Sequence, residues 1–230
     1  MRLNKYLSEK GLCSRREADA WIEAGRVRVR GMVAGLGTVV ESGDTVEVDG
    51  RAVGSRAREH VYIAFNKPVG VTCTTEARVR DNIIDFIGHP ERIFPIGRLD
   101  KDSEGLILLT SDGDVVNRLL REEHAHEKEY HVTLDRPYPD AMLAALRKGV
   151  YLPALDQTTK PCKAERLGGR SFSIVLTQGL NRQIRRMCEA FGYEVVALRR
   201  LRFAHIALGD LQLGYWRPLS RAETRALSEA

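Results

Sequence analysis

Apolar side chains near the start of the chain recur at the spacing of a helix. Leu3 and Leu7 lie on one face of a predicted first helix, and Gly11 is placed to end it. Ser14 and Glu17 have the spacing of a capping box, in which each side chain bonds the backbone of the other residue at the start of a helix. The pattern therefore predicts two short helices in succession.

After these helices the pattern changes to alternation. Valine alternates with arginine over residues 26–30, and a second strand-like run at 45–48 lies between glycine–aspartate turn signals. Two helices and a small sheet in residues 1–50 are marginal as an independent fold. We therefore predict an appended module over residues 1–50, followed by a linker over residues 51–60, where no periodicity is present.

From residue 61 onward, apolar residues with the spacing of strands and with the spacing of helices predict a second, larger domain over residues 61–225. Strands and helices are mixed along it, without a regular β-α-β repeat and without a phosphate-binding glycine motif. This mixture predicts an α+β fold rather than a doubly wound nucleotide-binding fold. The predicted strands are 61–65, 93–97, 106–110, 129–134, 171–177 and 195–198, and the predicted helices are 114–121, 139–148 and 182–191.

Composition narrows the class of protein. The chain has 230 residues, of which 43% are hydrophobic and 29% charged, as in soluble globular proteins. Its longest apolar run, residues 141–146, is far shorter than the ~20 residues of a membrane span, and no signal peptide follows Met1. The four cysteines are isolated, which argues against a zinc site or a disulfide framework. We expect a cytoplasmic protein.

Basic residues are unevenly distributed, although the net charge is only +5. Residues 1–30 contain eight basic and four acidic side chains, and residues 178–205 contain six arginines and two acidic side chains. Arginine suits phosphate because its planar guanidinium presents several donors at once. The two clusters indicate either a polyanionic partner or an ordinary solvated surface, and charge alone leaves both open.

The densest group of candidate residues is 97–105, a charged loop between two apolar strands. Taken alone, it fits a surface turn, a calcium loop or a catalytic carboxylate. The calcium interpretation is weak because Ser111 occupies the twelfth position, where a Glu is needed, and Lys101 lies inside the loop. In the third interpretation Asp100, flanked by cations, acts as a nucleophile or a base.

A second candidate segment is the predicted helix 182–191, with Asn181 as its N-cap and Gly192 as its stop. At ~100° per residue, Arg185 lies at the border of the apolar stripe and is best placed to turn inward. A half-buried arginine needs an anion, although it can also extend along the helix to solvent. The stripe contains Ile184, Met187, Cys188 and Phe191, and Arg182 and Arg186 point away from it.

Tyr130 is a third candidate. Period-two alternation puts Tyr130, Val132 and Leu134 on one face of a strand, so both a core tyrosine and a functional one remain open. None of the six histidines has metal-ligand spacing, and the serine-hydrolase elbow is absent from the sequence. We therefore predict no metal site.

Taken together, these segments resemble the RNA pseudouridine synthases. Residues 97–110 resemble the signature of that family, residues 181–187 with the following Phe-Gly resemble its arginine motif, and residues 66–70 resemble its lead-in strand and turn. Residues 2–7 and 14–18 are similar to the S-four RNA-binding domain, named for a small-subunit ribosomal protein. The combination resembles the branch of the family that modifies ribosomal RNA.

The resemblance implies an S-four-like RNA-binding module and a catalytic domain with a mixed, largely antiparallel sheet flanked by helices. It implies an isomerase that converts a specific uridine of ribosomal RNA, in the large-subunit 23S molecule, to pseudouridine without a cofactor. The expected partner is a structured stem-loop of ribosomal RNA, with no membrane partner, and the expected state is a monomer.

The family pattern also assigns residues. The invariant aspartate falls on Asp100, the tyrosine that stacks on the target base on Tyr130, and the arginine that pairs with the aspartate on Arg185. The expected substrate pocket contains Arg98, Leu99 and Leu198. The expected RNA contacts are Arg2, Lys5, Arg15, Arg16, Arg26, Arg28, Arg182 and Arg186.

Two other functions remain open at this point. A non-catalytic RNA-binding or ribosome-assembly factor would use the same basic clusters but would have no need of a cation-flanked Asp100. A metal-dependent RNA hydrolase would use Asp100, Asp102 and Glu104 as ligands. Activity in excess chelator would distinguish the hydrolase from the synthase.

Overall fold

The computed structural model describes residues 1–54, 59–119 and 126–229. Predicted linker residues 55–58 and the predicted helix positions 120–121 lie outside these described residues. In the described part of the chain, no helix is both long and apolar enough to cross a membrane. The chain divides into two compact units, which are Met1–Val61 with Pro90–Arg92 and Ser111–Gly113, and Tyr62–His89 with Ile93–Thr110 and Asp114–Ala230.

The described residues of the first unit form two helices and a small antiparallel sheet. The capping box at the start of the second helix is confirmed, since the Glu17 N–H donates to Ser14 Oγ (3.0 Å) and the Ser14 N–H donates to the Glu17 carboxylate (2.6 Å). Leu3, Leu7 and Ile22 are buried in the core of this unit. The elements are α1 (Leu3–Glu9), α2 (Arg15–Glu23), β1 (Val27–Val29), β2 (Met32–Val33), β3 (Val46–Val48) and β4 (Arg51–Ala52), with sheet order β2-β1-β3-β4.

Strand β4 occupies the first two residues of the segment predicted as a linker. It pairs with the end of β3 across a tight turn in which Asp49 and Gly50 both have positive φ, at 50° and 74°. An Asp-Gly turn of this kind favours a hairpin. Alternation did not reveal the strand because both of its side chains are exposed.

The second unit is built on a large sheet, in which the described residues contribute nine strands. The strands are β5 (Tyr62–Lys67), β6 (Phe94–Ile96), β7 (Glu104–Thr110), β8 (Lys128–Leu134), β11 (Lys163–Arg166), β12 (Ser171–Leu176), β13 (Val195–Phe203), β14 (Ile206–Ala207) and β15 (Trp216–Pro218). Their order is β11-β12-β8-β13-β7-β5-β15, with β14 beside β13 and β6 beside β7. Only β7 and β13 pair in parallel within this described sheet, which confirms the predicted mixed, largely antiparallel α+β fold.

Helices flank this sheet and cover two hydrophobic cores. The helices are α3 (Ile83–Ile87), α4 (Gly113–Leu119), α5 (Asp140–Lys148), α6 (Gln183–Glu189) and α7 (Arg221–Glu229), and β9 (Tyr151–Leu152) pairs with β10 (Gln157–Thr158) in a separate hairpin. One core joins α5 and α6 to β8, β12 and β13. The other joins α4 to β7 and the end of β13.

Several of these elements were not predicted. Helix α3, strands β11, β14 and β15 and the strands of the β9–β10 hairpin are two to five residues long, too short for a clear period, and α7 contains a single large apolar residue, Leu227. The predicted domain end at residue 225 falls inside α7. In helix α6 the predicted N-cap is wrong. Arg182 holds that position with φ of 50°, and the Asn181 side chain instead accepts a bond from Arg186.

The parallel contact between β7 and β13 depends on a glycine. Gly105 is paired with Arg200, and a Cβ added at Gly105 would lie 2.3 Å from the Arg200 carbonyl oxygen. Gly105 also has φ of 102°, which other residues rarely adopt. Only glycine therefore lets these two strands approach closely enough to pair.

Candidate active site

A cavity of about 510 Å³ lies in the second unit where its two hydrophobic cores meet. Leu176 and Leu198 reach it from the core beneath α5 and α6, and Leu119 and Phe203 reach it from the other core. The loop that precedes β7 forms one wall. The cavity therefore combines an apolar lining, which suits a planar base, with the charged residues of that loop.

Two neighbouring strands form the floor of the cavity. Tyr130 of β8 is paired with Arg200 of β13, and Lys128 is paired with Phe203 because a bulge after Arg200 shifts the register. Residues directly opposite each other in a sheet share a face. These four side chains and Leu198 therefore lie on the surface that faces the cavity, and all five line it.

The wall loop presents Asp100 to the cavity, and its side chain is 33% exposed. The C-terminal end of the loop is held by the buried ammonium of Lys67, which donates to the Ser103 carbonyl oxygen (2.7 Å) and also to that of Pro68 beside it (2.9 Å). Burial lowers the pKa of Lys67. Because Lys67 ends β5, the sheet itself sets the position of the Asp100 loop.

Arg182 joins this loop to the start of α6. Its guanidinium donates to both carboxylate oxygens of Asp102, at 3.2 and 2.9 Å, and lies 3.6 Å from the carboxylate of Asp100. The hydrogen bonds from Arg182, together with the charges of Arg185 and Arg182, hold the pKa of the Asp102 carboxyl below its usual value, although burial opposes this. Arg182, which was predicted to point outward to RNA, is therefore the counter-charge of Asp100.

Arg185 does turn inward as predicted, but it does not pair with Asp100. Its Nε lies 3.3 Å from the carboxylate of Asp102, and its Nη2 donates to the Asp102 carbonyl oxygen (2.9 Å) and Ser103 Oγ (3.3 Å). Its Nη1 donates to the carbonyl oxygen of Val195 at 2.7 Å. Among the described residues no Asp100–Arg185 ion pair is formed, because Asp100 faces the cavity and Asp102 faces α6.

The predicted pocket residues do meet at this cavity. Arg98 is exposed at its rim, whereas Leu99 and Leu198 are buried in its lining. The Leu99 N–H donates to Cys73 Sγ at 3.4 Å, which fixes the backbone beside Asp100. Arg186, predicted to contact RNA, instead donates to Asn181 in the turn before α6.

Sequence reasoning missed three cations in the cavity lining, which are Lys128, Lys160 and Arg200. With Arg98 and Arg182 they make five cationic side chains, against one carboxylate, that of Asp100, among the described lining residues. The alternation that placed Tyr130 already contained a signal, because Lys128 is two residues earlier on the same face. No sequence signal distinguishes Lys160 or Arg200 from other basic residues.

Four of the RNA contacts predicted in the first unit lie near its start. Arg2, Lys5 and Arg15 line one surface hollow, and Arg16 is exposed on α2. Basic side chains around a hollow are suited to a phosphate backbone. Lys5 also lies 3.5 Å from Glu9 on the same helix.

The other two predicted contacts in this unit have partners within the chain. Arg26 donates to both carboxylate oxygens of Asp49, at 2.9 and 2.6 Å. Arg28 donates to the carbonyl oxygen of Gly31 at 2.9 Å. These bonds stabilise the small sheet, so an RNA contact by either arginine would have to compete with them.

The ligand set of the metal-dependent hydrolase is not assembled. Asp102 is paired with Arg185 of α6 and with Arg182, the N-cap of that helix. The Glu104 carboxylate lies 3.8 Å from Arg199. Within the described parts of the chain, no three His, Cys, Asp or Glu side chains lie close enough to hold a metal ion together. The acidic residues of this loop are therefore arranged for pairing with arginine.

Two family models match the two parts of the chain. Residues 61–190 match the model described as RNA pseudouridylate synthase, and residues 1–46 match the model described as S4 domain. The first match contains the wall loop, Tyr130 and helix α6. The second contains the two helices and most of the small sheet of the first unit.

Whole-chain comparisons agree with these matches. The chain is 54% identical to the dual-specificity RNA pseudouridine synthase RluF of Salmonella typhi, over 96% of this chain and 76% of that protein. It is 37% identical to ribosomal large subunit pseudouridine synthase B of Bacillus subtilis, over 98% of this chain and 95% of that protein. A crystal structure of a pseudouridylate synthase superposes with a TM-score of 0.71 at 31% identity and covers 99% of both chains.

Proposed function

The chain belongs to the RNA pseudouridine synthase family and is an isomerase, and on this basis we propose that it converts a specific uridine of ribosomal RNA to pseudouridine. The Bacillus relative is named for the large ribosomal subunit, which supports 23S RNA as the substrate. The Salmonella relative is named as dual-specific, so we include a second RNA among the candidate substrates.

The reaction exchanges two bonds to the same sugar carbon. The N1–C1′ bond of uridine breaks, the base turns, and a C5–C1′ bond forms while C5 loses a proton and N1 gains one. The atoms and electrons balance without an oxidant, a reductant or a transferred phosphate, so this proposal contains no cofactor.

We assign the catalytic carboxylate to Asp100. The observation that supports this most strongly is that Asp100 is the single acidic side chain among the described residues lining the cavity of about 510 Å³. Its carboxylate can add to C6, attack C1′ or remove a proton from C2′, and all three actions need the oxygen to be held at the cavity wall. The guanidinium of Arg182, 3.6 Å away, supplies the counter-charge.

We assign Tyr130 to the base itself. Its ring is half-buried against the hydrophobic core and faces the same cavity as Asp100. An aromatic ring in this position stacks on uracil, and its hydroxyl assists removal of the C5 proton after the new bond has formed. Arg185 is assigned a different role from the predicted one, since it fixes the backbone and the Asp102 side chain of the loop that carries Asp100.

RNA binding must bring the target uridine out of its stack. This costs a few kcal/mol and is least costly in a loop, which supports a stem-loop substrate. Arg98 and Lys160 are exposed at the cavity and are placed to contact the adjacent phosphates, whereas Arg182 is held by Asp102 and Asp100. Arg2, Lys5, Arg15 and Arg16 would contact the backbone elsewhere on the RNA.

The proposal also includes the oligomeric state and the location: a monomeric enzyme that acts in the cytoplasm.

The test of Asp100 is its replacement by asparagine, which keeps its size but removes the carboxylate charge. We expect Asp100→Asn to fold normally, to bind RNA and to make no detectable product. The matched control is Asp210→Asn, which changes an exposed carboxylate in the same unit and should keep full activity. Residual turnover of the Asp100 variant above ~1% of the wild-type rate would remove Asp100 from the nucleophile role.

The substrate is identified by mapping pseudouridine in the total RNA of cells that have or lack the gene. We expect one site in 23S RNA to lose its modification when the gene is deleted, and to regain it from a plasmid copy but not from the Asp100→Asn copy. An unchanged pseudouridine map would contradict the proposed function, and loss of a site outside ribosomal RNA without any loss in ribosomal RNA would change the substrate.

A further inference from the structure

Two cations, Lys128 and Arg200, lie on the cavity floor beside Tyr130. They differ from the cations at the rim in their exposure. Arg98, Lys160 and Arg182 are exposed, whereas Lys128 is half-buried and Arg200 is only 2% exposed. Of the rim cations, Arg98 and Lys160 can reach the RNA backbone, while the floor cations face what enters the cavity.

Lys128 has few polar contacts for a partly buried ammonium. Its Nζ donates to the carbonyl oxygen of His126 at 2.9 Å and lies 5.7 Å from the centroid of the Phe203 ring. Burial lowers the pKa of Lys128, and the neighbouring charge of Arg200 lowers it further. A charged lysine at this position therefore destabilises the fold.

Arg200, the second floor cation, is almost fully buried. Its Nε donates to the carbonyl oxygen of Leu106 at 2.6 Å, and its guanidinium lies 5.8 Å from the centroid of the Phe203 ring. Its Nη2 is buried and has no hydrogen-bond partner among the described residues. Arg200 thus adds positive potential to the cavity without an anion that neutralises it.

Among the described residues, no carboxylate on the cavity side forms an ion pair with Lys128 or Arg200. The nearest acidic residues along the strand, Glu127 and Glu129, lie on the opposite face of β8, where both are bound by Arg202. Asp100 is the single carboxylate among the described lining residues, and its charge is opposed by Arg182. In the described part of the chain, the floor therefore carries a positive charge that an anionic ligand would neutralise.

The proposed isomerisation, on which this inference rests, produces such an anion. Asp100 attacks C1′ or removes the C2′ proton, so the N1–C1′ bond breaks with its electron pair on the base, where the charge spreads from N1 to O2 and O4. We propose that Lys128, supported by the field of Arg200, stabilises this detached uracil anion on the cavity floor. The base then turns, C5 bonds to C1′ as the Asp100–C1′ bond breaks or the proton returns to C2′, and N1 takes up a proton when C5 has lost one.

The position of Lys128 favours the base over the RNA backbone as its ligand. Lys128 and Tyr130 are two residues apart on one face of β8, so a ring stacked on Tyr130 has its edge near the ammonium. The sugar must reach Asp100 at the cavity wall, and the phosphates of the same nucleotide lie on the far side of the sugar from the base, toward the rim. Fixed charges aimed at the position where a charge develops are a large source of catalysis.

The test compares Lys128→Met with Lys163→Met in the full-length enzyme, using the stem-loop that carries the mapped uridine. Lys163 is the matched control because its side chain is 77% exposed and lies 3.4 Å from Glu127, away from the cavity. We expect Lys128→Met to lower the single-turnover rate by about 100-fold, as for loss of one donor to a developing anion, and to keep the RNA Kd. Lys163→Met should keep both the rate and the Kd.

Two additional measurements separate anion stabilisation from a structural effect. Lys128→Arg keeps the charge, so it should recover most of the lost rate, and Lys128→Met should melt no lower than the wild type. In RNA with 5-fluorouridine at the target, fluorine already stabilises the base anion. Breakage of the N-glycosidic bond is followed as the loss of intact 5-fluorouridine after nuclease digestion. The ratio of the wild-type rate to the Lys128→Met rate should therefore be ~10-fold smaller with this RNA than with the uridine RNA, a difference of ~1.4 kcal/mol.

Four outcomes would overturn the inference while the wild-type enzyme still makes pseudouridine. They are an unchanged rate for Lys128→Met, a weaker RNA Kd that accounts for its whole rate loss, no recovery with Lys128→Arg, and an equal deficit with 5-fluorouridine. A weaker Kd would make Lys128 a phosphate contact. If the wild-type enzyme made no pseudouridine at all, the proposed function itself would fail, and this result is distinct from the other four.

Discussion

The two faces of the β8–β13 pair differ in whether their basic side chains are paired with carboxylates. On the outer face, Arg202 donates to Glu129 at 3.0 Å and to Glu127 at 2.9 Å, and Glu127 also lies 3.4 Å from Lys163. On the cavity face, Lys128 and Arg200 have no carboxylate partner among the described residues. Basic side chains are present on both faces, but among the described residues only those on the outer face are paired with carboxylates.

This difference indicates which basic residues serve the fold and which serve the reaction. A paired charge near solvent has little effect on stability and needs no further explanation. An unpaired buried charge costs stability, so its presence points to a ligand. Arginine content alone left a polyanionic partner and a solvated surface both open, and the pairing of each arginine indicates which of them are engaged within the chain.

The largest expected effect is the loss of stability caused by Gly105→Ala, which would disturb both faces of the sheet at once. The new Cβ would lie 2.3 Å from the Arg200 carbonyl oxygen, so β7 and β13 would have to separate. We expect the free energy of unfolding in urea to fall by roughly 3 kcal/mol or more. Gly113→Ala is the control, because a Cβ there meets nothing within 4 Å. Equal stability of the two variants would mean that the strand contact tolerates a methyl group.

The next effect concerns the cavity face. Tyr130→Phe keeps the ring and removes the hydroxyl, so we expect RNA affinity to stay the same and the rate to fall by about 100-fold, as for loss of one general acid–base group. Single-turnover conversion and RNA binding would be measured on the same stem-loop. An unchanged rate would leave stacking as the only role of Tyr130.

On the outer face we expect Arg202→Met to change stability and not catalysis. The substitution removes two ion pairs of a side chain that is 27% exposed, which should lower the free energy of unfolding by ~1 kcal/mol. The conversion rate should stay close to that of the wild type. A rate loss as large as that of Lys128→Met would mean that the two faces do not differ in function.

The smallest expected effect is a pH dependence of stability from Lys128. The unfolded lysine keeps its proton up to its usual pKa of 10.5, whereas the folded one loses it at lower pH. In that alkaline interval the unfolded state binds more protons, so the stability of the wild type rises with pH. Urea unfolding should show Lys128→Met as the more stable protein at pH 7, with a difference that narrows as the pH rises. A constant difference would show that the ammonium is not destabilised by burial.

Local patterns gave much of the fold correctly. The capping box of α2 depends on two residues three positions apart, and the alternation in β8 depends only on the strand period. The loop with Asp100 was located because charged residues lie between two apolar runs. Elements with exposed or very short sequences, such as β4 and β15, left no such pattern and were missed.

The sequence by itself determined the family motifs, the face of β8 that carries Tyr130, and the loop that carries Asp100. Only the tertiary structure decided which carboxylate each arginine meets, and it placed Arg182 rather than Arg185 beside Asp100. Arg182 and Asp102 are 80 residues apart, and Arg200 and Leu106 are 94 residues apart. Ion pairs and hydrogen bonds act over a few ångströms, so they follow from how distant strands and loops are brought together, and spacing along the chain does not determine them.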